Sequence, residues 1–427
     1  MRETNFKQTE IGLIPYDWEV CKLGNVSNNI FYGIAARAVP YDGKVKYIRI
    51  TDIDDRSREF SPTPLCSPEV YTEDYFVHPG DILFARTGSS VGKTYLYTQN
   101  DGNLVFAGFL IKVGITGACP EFIFYLTQTS SYWEWVAAQS VRTGQPGINA
   151  IQLSELPIPL PARSEQARIG RILKQLDGLI SGLKKLIDKK RAIKAGAMSQ
   201  LLSGKLRLPG FSEPWISTSL DELGVLLSNN TLSRENLTES GTIGNIHYGD
   251  ILTKFGAILD LDNTAIPFIH PQMSSKFLKS HLAKEGDVIF ADTAEDETVG
   301  KATELVNVKD RAIVSGLHTF WFRPLTKFAS KYLGYAVNSH EFHQQAIPVI
   351  SGTKVCSISK PNLLSFTLTY PSELEEQKAI AKVLIDMDDE ISALEAKLKK
   401  YEQLKKGMMQ QLLTGKIRLV TPNESLS

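Results

Sequence analysis

Gly80-Asp81-Ile82-Leu83-Phe84-Ala85 returns later in the chain as Gly286-Asp287-Val288-Ile289-Phe290-Ala291, and Leu202-Ser203-Gly204-Lys205-Leu206-Arg207-Leu208 returns as Leu413-Thr414-Gly415-Lys416-Ile417-Arg418-Leu419. Outward from these two anchors the repeat continues. Trp18 and Leu23 match Trp215 and Leu220. Ile48-Arg49-Ile50-Thr51-Asp52-Ile53 matches Ile246-His247-Tyr248-Gly249-Asp250-Ile251, Thr143-Gly144 matches Ser351-Gly352, and Ser164-Glu165-Gln166 matches Glu375-Glu376-Gln377. The offset drifts along the chain, so loop lengths differ while the framework holds. A duplicated chain predicts two similar modules related by a pseudo-twofold axis, as in a homodimer. The target suited to such an object also has two related halves, and a bipartite DNA site is the leading candidate. Divergent loops on a common framework suggest two recognition surfaces with different targets.

Each repeat opens with a globular part in which short β-rich runs (46–53, 81–85, 104–113) alternate with Gly/Pro/Asn/Asp turns. A helix is expected near 121–139, and the proline-rich 156–161 reads as an extended linker. A long helix follows, with Ser164 as N-cap and an end near Gly204. Its apolar residues Ile169, Ile172, Leu176, Leu179, Leu183 and Leu186 alternate at spacings of three and four. The second copy supplies Ile380, Leu384, Met387, Ile391, Leu394 and Leu398. Such heptads predict a coiled coil; a helix lying on its own globular domain is the alternative. About 38 residues give a rod of roughly 57 Å. Antiparallel pairing of the two helices would bring the chain ends together. The expected class is α+β: globular modules at 1–163 and 209–372, helical segments at 164–208 and 373–427.

Composition fits an ordinary soluble globular protein, with 42% hydrophobic and 22% charged residues. The N-terminus carries no signal-peptide pattern, no apolar stretch approaches a membrane span, and Cys21, Cys66, Cys119 and Cys356 are isolated. Reduced thiols and a cytoplasmic location are expected. Zero net charge, from 47 basic and 47 acidic residues, counts against a nonspecific DNA binder. Charge is distributed unevenly, however. From Arg163 to Arg207 there are twelve Lys/Arg against three Asp/Glu, whereas Glu373 to Arg418 holds nine of each.

Gly88-Ser89-Ser90-Val91-Gly92-Lys93-Thr94 approaches a phosphate-binding loop but has three residues, not four, before Gly-Lys. A turn presenting Arg86, Thr87, Ser89, Ser90 and Lys93 to nucleic acid fits better. No Pro-Pro-aromatic methyltransferase motif or glycine-rich cofactor loop occurs. The acidic run Asp292, Glu295, Asp296, Glu297 lacks acidic counterparts in the first copy, so it reads as a solvated loop rather than a nuclease centre. Arg49, Arg142, Gln145, Asn149, His247, Tyr248, Lys301 and Lys354 complete the candidate DNA contacts, because Arg, Asn and Gln can pair with base edges and Lys with phosphate. Trp18 and Trp215 read as core anchors.

Taken in order, these motifs resemble the specificity subunits of type I restriction-modification systems, over essentially the whole chain. The resemblance rests on the duplication and on the stretch Gly80–Lys93. It also rests on the Glu-Gln entries at Glu165 and Glu376 and on the two helix endings. Asp292 and Ala294 depart from it where the first copy has Arg86 and Gly88. The resemblance implies that each module is a target-recognition domain for half of a split sequence. It implies paired helices that set the gap and dock two methyltransferase subunits, joined by restriction subunits. S-adenosylmethionine, ATP and Mg²⁺ then belong to those partners, and this chain carries no cofactor or metal. A type IIG-like system and a scaffold without a DNA role are the alternatives.

Overall fold

The computed structural model describes residues 5–141, 145–277, 281–352 and 355–419. The chain forms two compact units, residues 1–186 with 395–427 and residues 187–394. Each combines one globular module with part of both long helices, α1 (Arg163–Leu202) and α2 (Leu374–Leu412).

In the first unit, β1 (Ser27–Tyr32), β2 (Asp81–Ala85), β3 (Thr94–Leu96) and β4 (Leu110–Ile115) form an antiparallel sheet in the order β1-β4-β2-β3. All five residues of β2 are buried, which is why Ile82–Ala85 is an apolar run rather than an alternation, led by the buried Asp81. The second unit holds β5 (Gly224–Leu227), β6 (Ile258–Asp260), β7 (Val288–Ala291), β8 (Ala302–Val306) and β9 (Thr319–Pro324), in the order β5-β9-β7-β8-β6. This is the first unit's order with one further strand, β6, added parallel to β8. The Gly-Asp signature has the same local cause in both. Gly80 and Gly286 take φ of +96° and +81°, and the following aspartate accepts a backbone N–H three residues back, His78 N to Asp81 and Lys284 N to Asp287, each at 2.8 Å.

The proline-rich segment is extended, as expected, but it is a paired strand and not a free linker. Pro157–Leu160 runs antiparallel to Glu19–Lys22, and the equivalent Thr367–Pro371 pairs with Trp215–Ser219. The helix expected near 121–139 is two helices, Pro120–Leu126 and Ser130–Gln139, the second capped by the Thr129 side chain.

Within each unit the long helices run antiparallel. Asp177 pairs with Lys405 and Lys184 with Glu402 in the first unit; Lys190 pairs with Glu390 and Lys194 with Asp388 in the second. The α2 positions stand as expected, with Ile380, Leu384 and Ile391 buried and Met387, Leu394 and Leu398 half-buried. On α1 the buried stripe needs a correction. Ile169 and Leu176 are buried and Leu183 half-buried, but Leu179 and Leu186 are 51% and 39% exposed, while Ile180 and Ile187 are 8% and 3% exposed. Ile172 is half-buried and Leu173 fully buried. The α1 sequence carries apolar doublets at heptad spacing (Ile172-Leu173, Leu179-Ile180, Leu186-Ile187), and the fold buries the second member of each.

In the first unit the segment that closes α2 returns to the start of α1 and to the region around Asp17. Glu165, fully buried, receives Arg418 Nε and Nη2, both at 2.9 Å, and Leu419 N at 3.0 Å, while Arg418 also reaches Asp17. The second unit repeats this with Arg207 on buried Glu376 at 2.6 and 2.7 Å. Each arginine lies over a tryptophan, Trp18 or Trp215. Trp18 is fully buried and Trp215 half-buried. Gln166 bridges Cys119 N and Pro161 O as Gln377 bridges Ala329 N and Pro371 O.

Candidate nucleic-acid interface

In the first module the loop leaving β2 packs on the segment after residue 144. Gly88 N donates to Pro146 O at 3.1 Å, Ile148 N donates to Arg86 O at 2.9 Å, and Thr87 bridges Gly147. Arg86, Thr87, Ser89, Ser90 and Gln145 are thereby gathered on one surface, with Ser89 and Gln145 exposed and the other three half-exposed. The Arg86 guanidinium sits 4.5 Å from the centre of the Tyr32 ring, a cation–π contact that holds it by one face. Its Nε has no hydrogen-bond partner. Arg86 N donates to Phe109 O, and the Phe109 side chain beside it is 65% exposed.

Other candidates from the sequence serve the framework. Lys93 is only 5% exposed, and its ammonium donates to Ile53 O at 2.8 Å and to Asp55 at 2.9 Å. That corrects the expectation of a phosphate contact: a cation so enclosed ties β3's entry to the 53–55 turn. Arg49 likewise spends its guanidinium on buried Asp52, at 2.8 and 2.7 Å. Asn149 caps the helix Ala150–Ser154 in a reciprocal box with Gln152. Arg142 lies outside the described residues.

The second module reproduces the frame with different side chains on it. Asp292 N donates to His318 O and Ile358 N to Asp292 O, the same pair of bonds that fixes Arg86. At this place stand Asp292 and His318, Oδ1 and Nδ1 3.4 Å apart, with Thr293 Oγ1 donating to the same Oδ1 at 2.8 Å. Tyr248 packs edge-on against His318 at 5.3 Å and tilted against His247 at 4.7 Å. His247 is buried; its Nδ1 caps the helix Tyr248–Thr253, and burial, followed by the nearby Arg234, lowers its pKa from the usual histidine value. Lys301 is half-buried and donates to Leu252 O at 2.9 Å, and burial lowers its pKa too. Lys354 lies outside the described residues.

Sequence reasoning missed Tyr32, Phe109 and His318. Phe109 sat inside an apolar run and looked like strand interior; its pairing with His318 across an otherwise preserved framework was the available signal. Among the described residues no cluster of three or more His, Cys, Asp or Glu could hold a metal, no helix is long and apolar enough to cross a membrane, and all four cysteines are free.

Comparison with known proteins fits this geometry. Residues 15–190 and 212–406 each match the family described as Type I restriction modification DNA specificity domain. The chain is 28% identical to the MjaX type I restriction enzyme specificity subunit of Methanocaldococcus jannaschii and 24% identical to the MjaVIII specificity subunit of the same organism. The alignments span 98% of both chains in the first case, and 99% of this chain and 98% of that one in the second. Its fold is similar to the crystal structure of a type I restriction-modification S subunit from M. genitalium, with a TM-score of 0.58, 16% identity and coverage of 92% of this chain and 96% of that one. A chain from a structure of type I system assembly and conformational transition gives 0.52 at 18% identity, covering 95% and 99%. Two copies of the domain in one chain, joined by the latched helices described above, place the protein in the family of type I restriction-modification specificity subunits.

Proposed function

We propose that this chain reads a bipartite double-stranded DNA site, one half with each module, and contributes recognition without catalysis to a complex whose methyl transfer and ATP-dependent cleavage belong to partner subunits. One observation carries this reading. The repeated residues (Gly-Asp, Val-Gly-Lys, Glu-Gln, and the Arg that closes each helix end) serve as framework, while the exposed side chains on that framework differ between modules. The surface at Arg86, Thr87, Ser89, Ser90 and Gln145 reads one half-site, and that at Tyr248, Asp292 and His318 the other. Base contacts of this kind specify sequence, while backbone contacts set register. Target-recognition domains at 1–163 and 209–372 are joined by the helical spacer 164–208 and 373–427, which sets the unread gap. Because each unit repeats the same helix-end arrangement, one docking surface occurs twice, which suits two methyltransferase subunits; restriction subunits join that core. S-adenosylmethionine, ATP and Mg²⁺ are then held by the partners, and the complex works where the DNA is, in the cytoplasm.

The test is selection of bound duplexes from a random library by the chain assembled with its methyltransferase subunits, beside an assay of the chain alone with labelled S-adenosylmethionine. Two short specified clusters separated by an unread gap, and no methyl transfer by the chain alone, are expected. One continuous cluster, or turnover by the isolated chain, would refute the reading.

A further inference from the structure

We propose that the residue leaving the central strand is the specificity position of each module, and that its exchange from Arg86 to Asp292 makes the first module read guanine there and the second read cytosine. This rests on the DNA-reading function above and goes further by assigning a base to each position.

The two positions are equivalent by backbone and not only by alignment. Ala85 N donates to Lys93 O at 2.8 Å as Ala291 N donates to Lys301 O at 2.8 Å, and Gly92 N and Gly300 N donate in return to Ala85 O and Ala291 O. The bonds through Phe109 O and His318 O, and through Ile148 N and Ile358 N, complete the match. The fold therefore aims one residue from the same place in both modules, with an exposed ring beside it (Phe109 or His318).

What it aims differs in charge. Arg86 offers only donors; it is steadied by the Tyr32 ring, its Nη1 reaches back to Gly108 O at 3.5 Å, and its Nε is buried without a partner, which leaves the Nη edge of the guanidinium to face a base. A planar donor fork matches the paired O6 and N7 acceptors of guanine. Asp292 offers only acceptors. Its Oδ1 is occupied by Thr293 and faces His318, while Oδ2 has no hydrogen-bond partner among the described residues. A carboxylate oxygen needs a base-edge amino group. Cytosine N4 supplies one flanked by a single acceptor, the paired guanine O6, with the cytosine C5–H on its other side, whereas adenine N6 stands between its own N7 and the thymine O4, two lone-pair edges that repel the carboxylate. Phosphate is excluded as the partner of Asp292 by like charge.

The experiment compares base preference for the wild-type chain and for Asp292→Asn, each assembled with its methyltransferase subunits and selected on a library randomised across both half-sites. An asparagine keeps Oδ1 as the acceptor for Thr293 and places an Nδ2 donor beside it, so that Oδ1 accepts from adenine N6 with its second lone pair while Nδ2 donates to N7. One position of the second half-site should therefore change from cytosine to adenine, by about 10- to 100-fold, with the first half-site unchanged. Arg86→Ala should relax one guanine in the first half-site only. The inference is overturned if the wild type shows no cytosine that responds to residue 292, or if Asp292→Asn weakens all sequences equally. Failure of the wild-type complex to select a split site at all would instead overturn the DNA-reading function itself. Since the readout is a change of base, poor folding of a variant cannot imitate the expected result.

Discussion

Removing the guanidinium that ties Arg418 to Glu165 and Asp17 should destabilise one unit selectively. Arg418 donates two bonds of 2.9 Å to Glu165, whose side chain is fully buried. In Arg418→Ala that carboxylate keeps, among the described residues, Leu419 N at 3.0 Å and Trp18 Nε1 at 3.3 Å. Breaking a buried pair by deleting one partner costs about 3 kcal/mol or more. The added contacts to Asp17, whose side chain is 63% exposed, contribute less than about 1 kcal/mol. Hydrogen exchange followed by peptide mass reads this directly. Slow amides in β2 and β4 that exchange through opening of the first unit should speed up by roughly 100-fold, since each 1.4 kcal/mol is about a factor of ten. Amides of β7 and β9 should be unaffected, and Arg207→Ala should give the mirror image. Glu165→Leu combined with Arg418→Met should recover most of the loss, because an apolar replacement leaves no stranded charge. A change below about tenfold in Arg418→Ala would show that this latch does not hold the first unit together.

Three further outcomes are expected. Ile180→Asp should cost several kcal/mol in a denaturant melt by burying an unpaired charge, whereas Leu179→Asp should cost less than about 1 kcal/mol; equal costs would reject the buried register described for α1. Lys93→Met should lower stability by about 1–3 kcal/mol, because Ile53 O and Asp55 lose their donor, and should leave the salt slope of DNA binding unchanged; a slope smaller by one ion would restore a phosphate role for Lys93. Glu304 is buried, its pKa is raised to about 7 by that burial, and it accepts from Lys331 N and Gly334 N at 2.7 Å each. A carboxyl raised in the folded state contributes stability that is present below its unfolded pKa of about 4.5 and is lost as pH rises through about 7. Wild-type melting temperature should therefore fall over that window relative to Glu304→Gln, and parallel profiles would contradict the assignment.

The sequence announced the duplication because the repeated residues all have backbone tasks: Gly80 and Gly286 make a turn that needs positive φ, and Gln166 and Gln377 bridge loop to strand. Such residues cannot drift without loss of fold, so the architecture could be read from them. The same fact misled the search for contacts. Lys93 and Arg49 are conspicuous because they repeat or sit in motifs, and they sit there because buried acceptors hold them. The α1 register was undecidable from spacing, since adjacent apolar residues at each heptad satisfy either stripe. The sequence shows Asp292 as part of a solvated acidic run and as a departure from the pattern, and gives no sign of His318, although both occupy the frame's presenting positions. The backbone bonds shared by Arg86 and Asp292 are what mark a departure in sequence as a difference at a preserved place.

The most direct measurement is a map of modified bases in cells carrying the complete system, before and after residues 209–372 are replaced by the equivalent module of a relative. Two independent readers on one framework predict that the half-site read by the first module persists unchanged, while the other half acquires a new sequence. Loss or alteration of both halves together, or no change in either, would contradict the account.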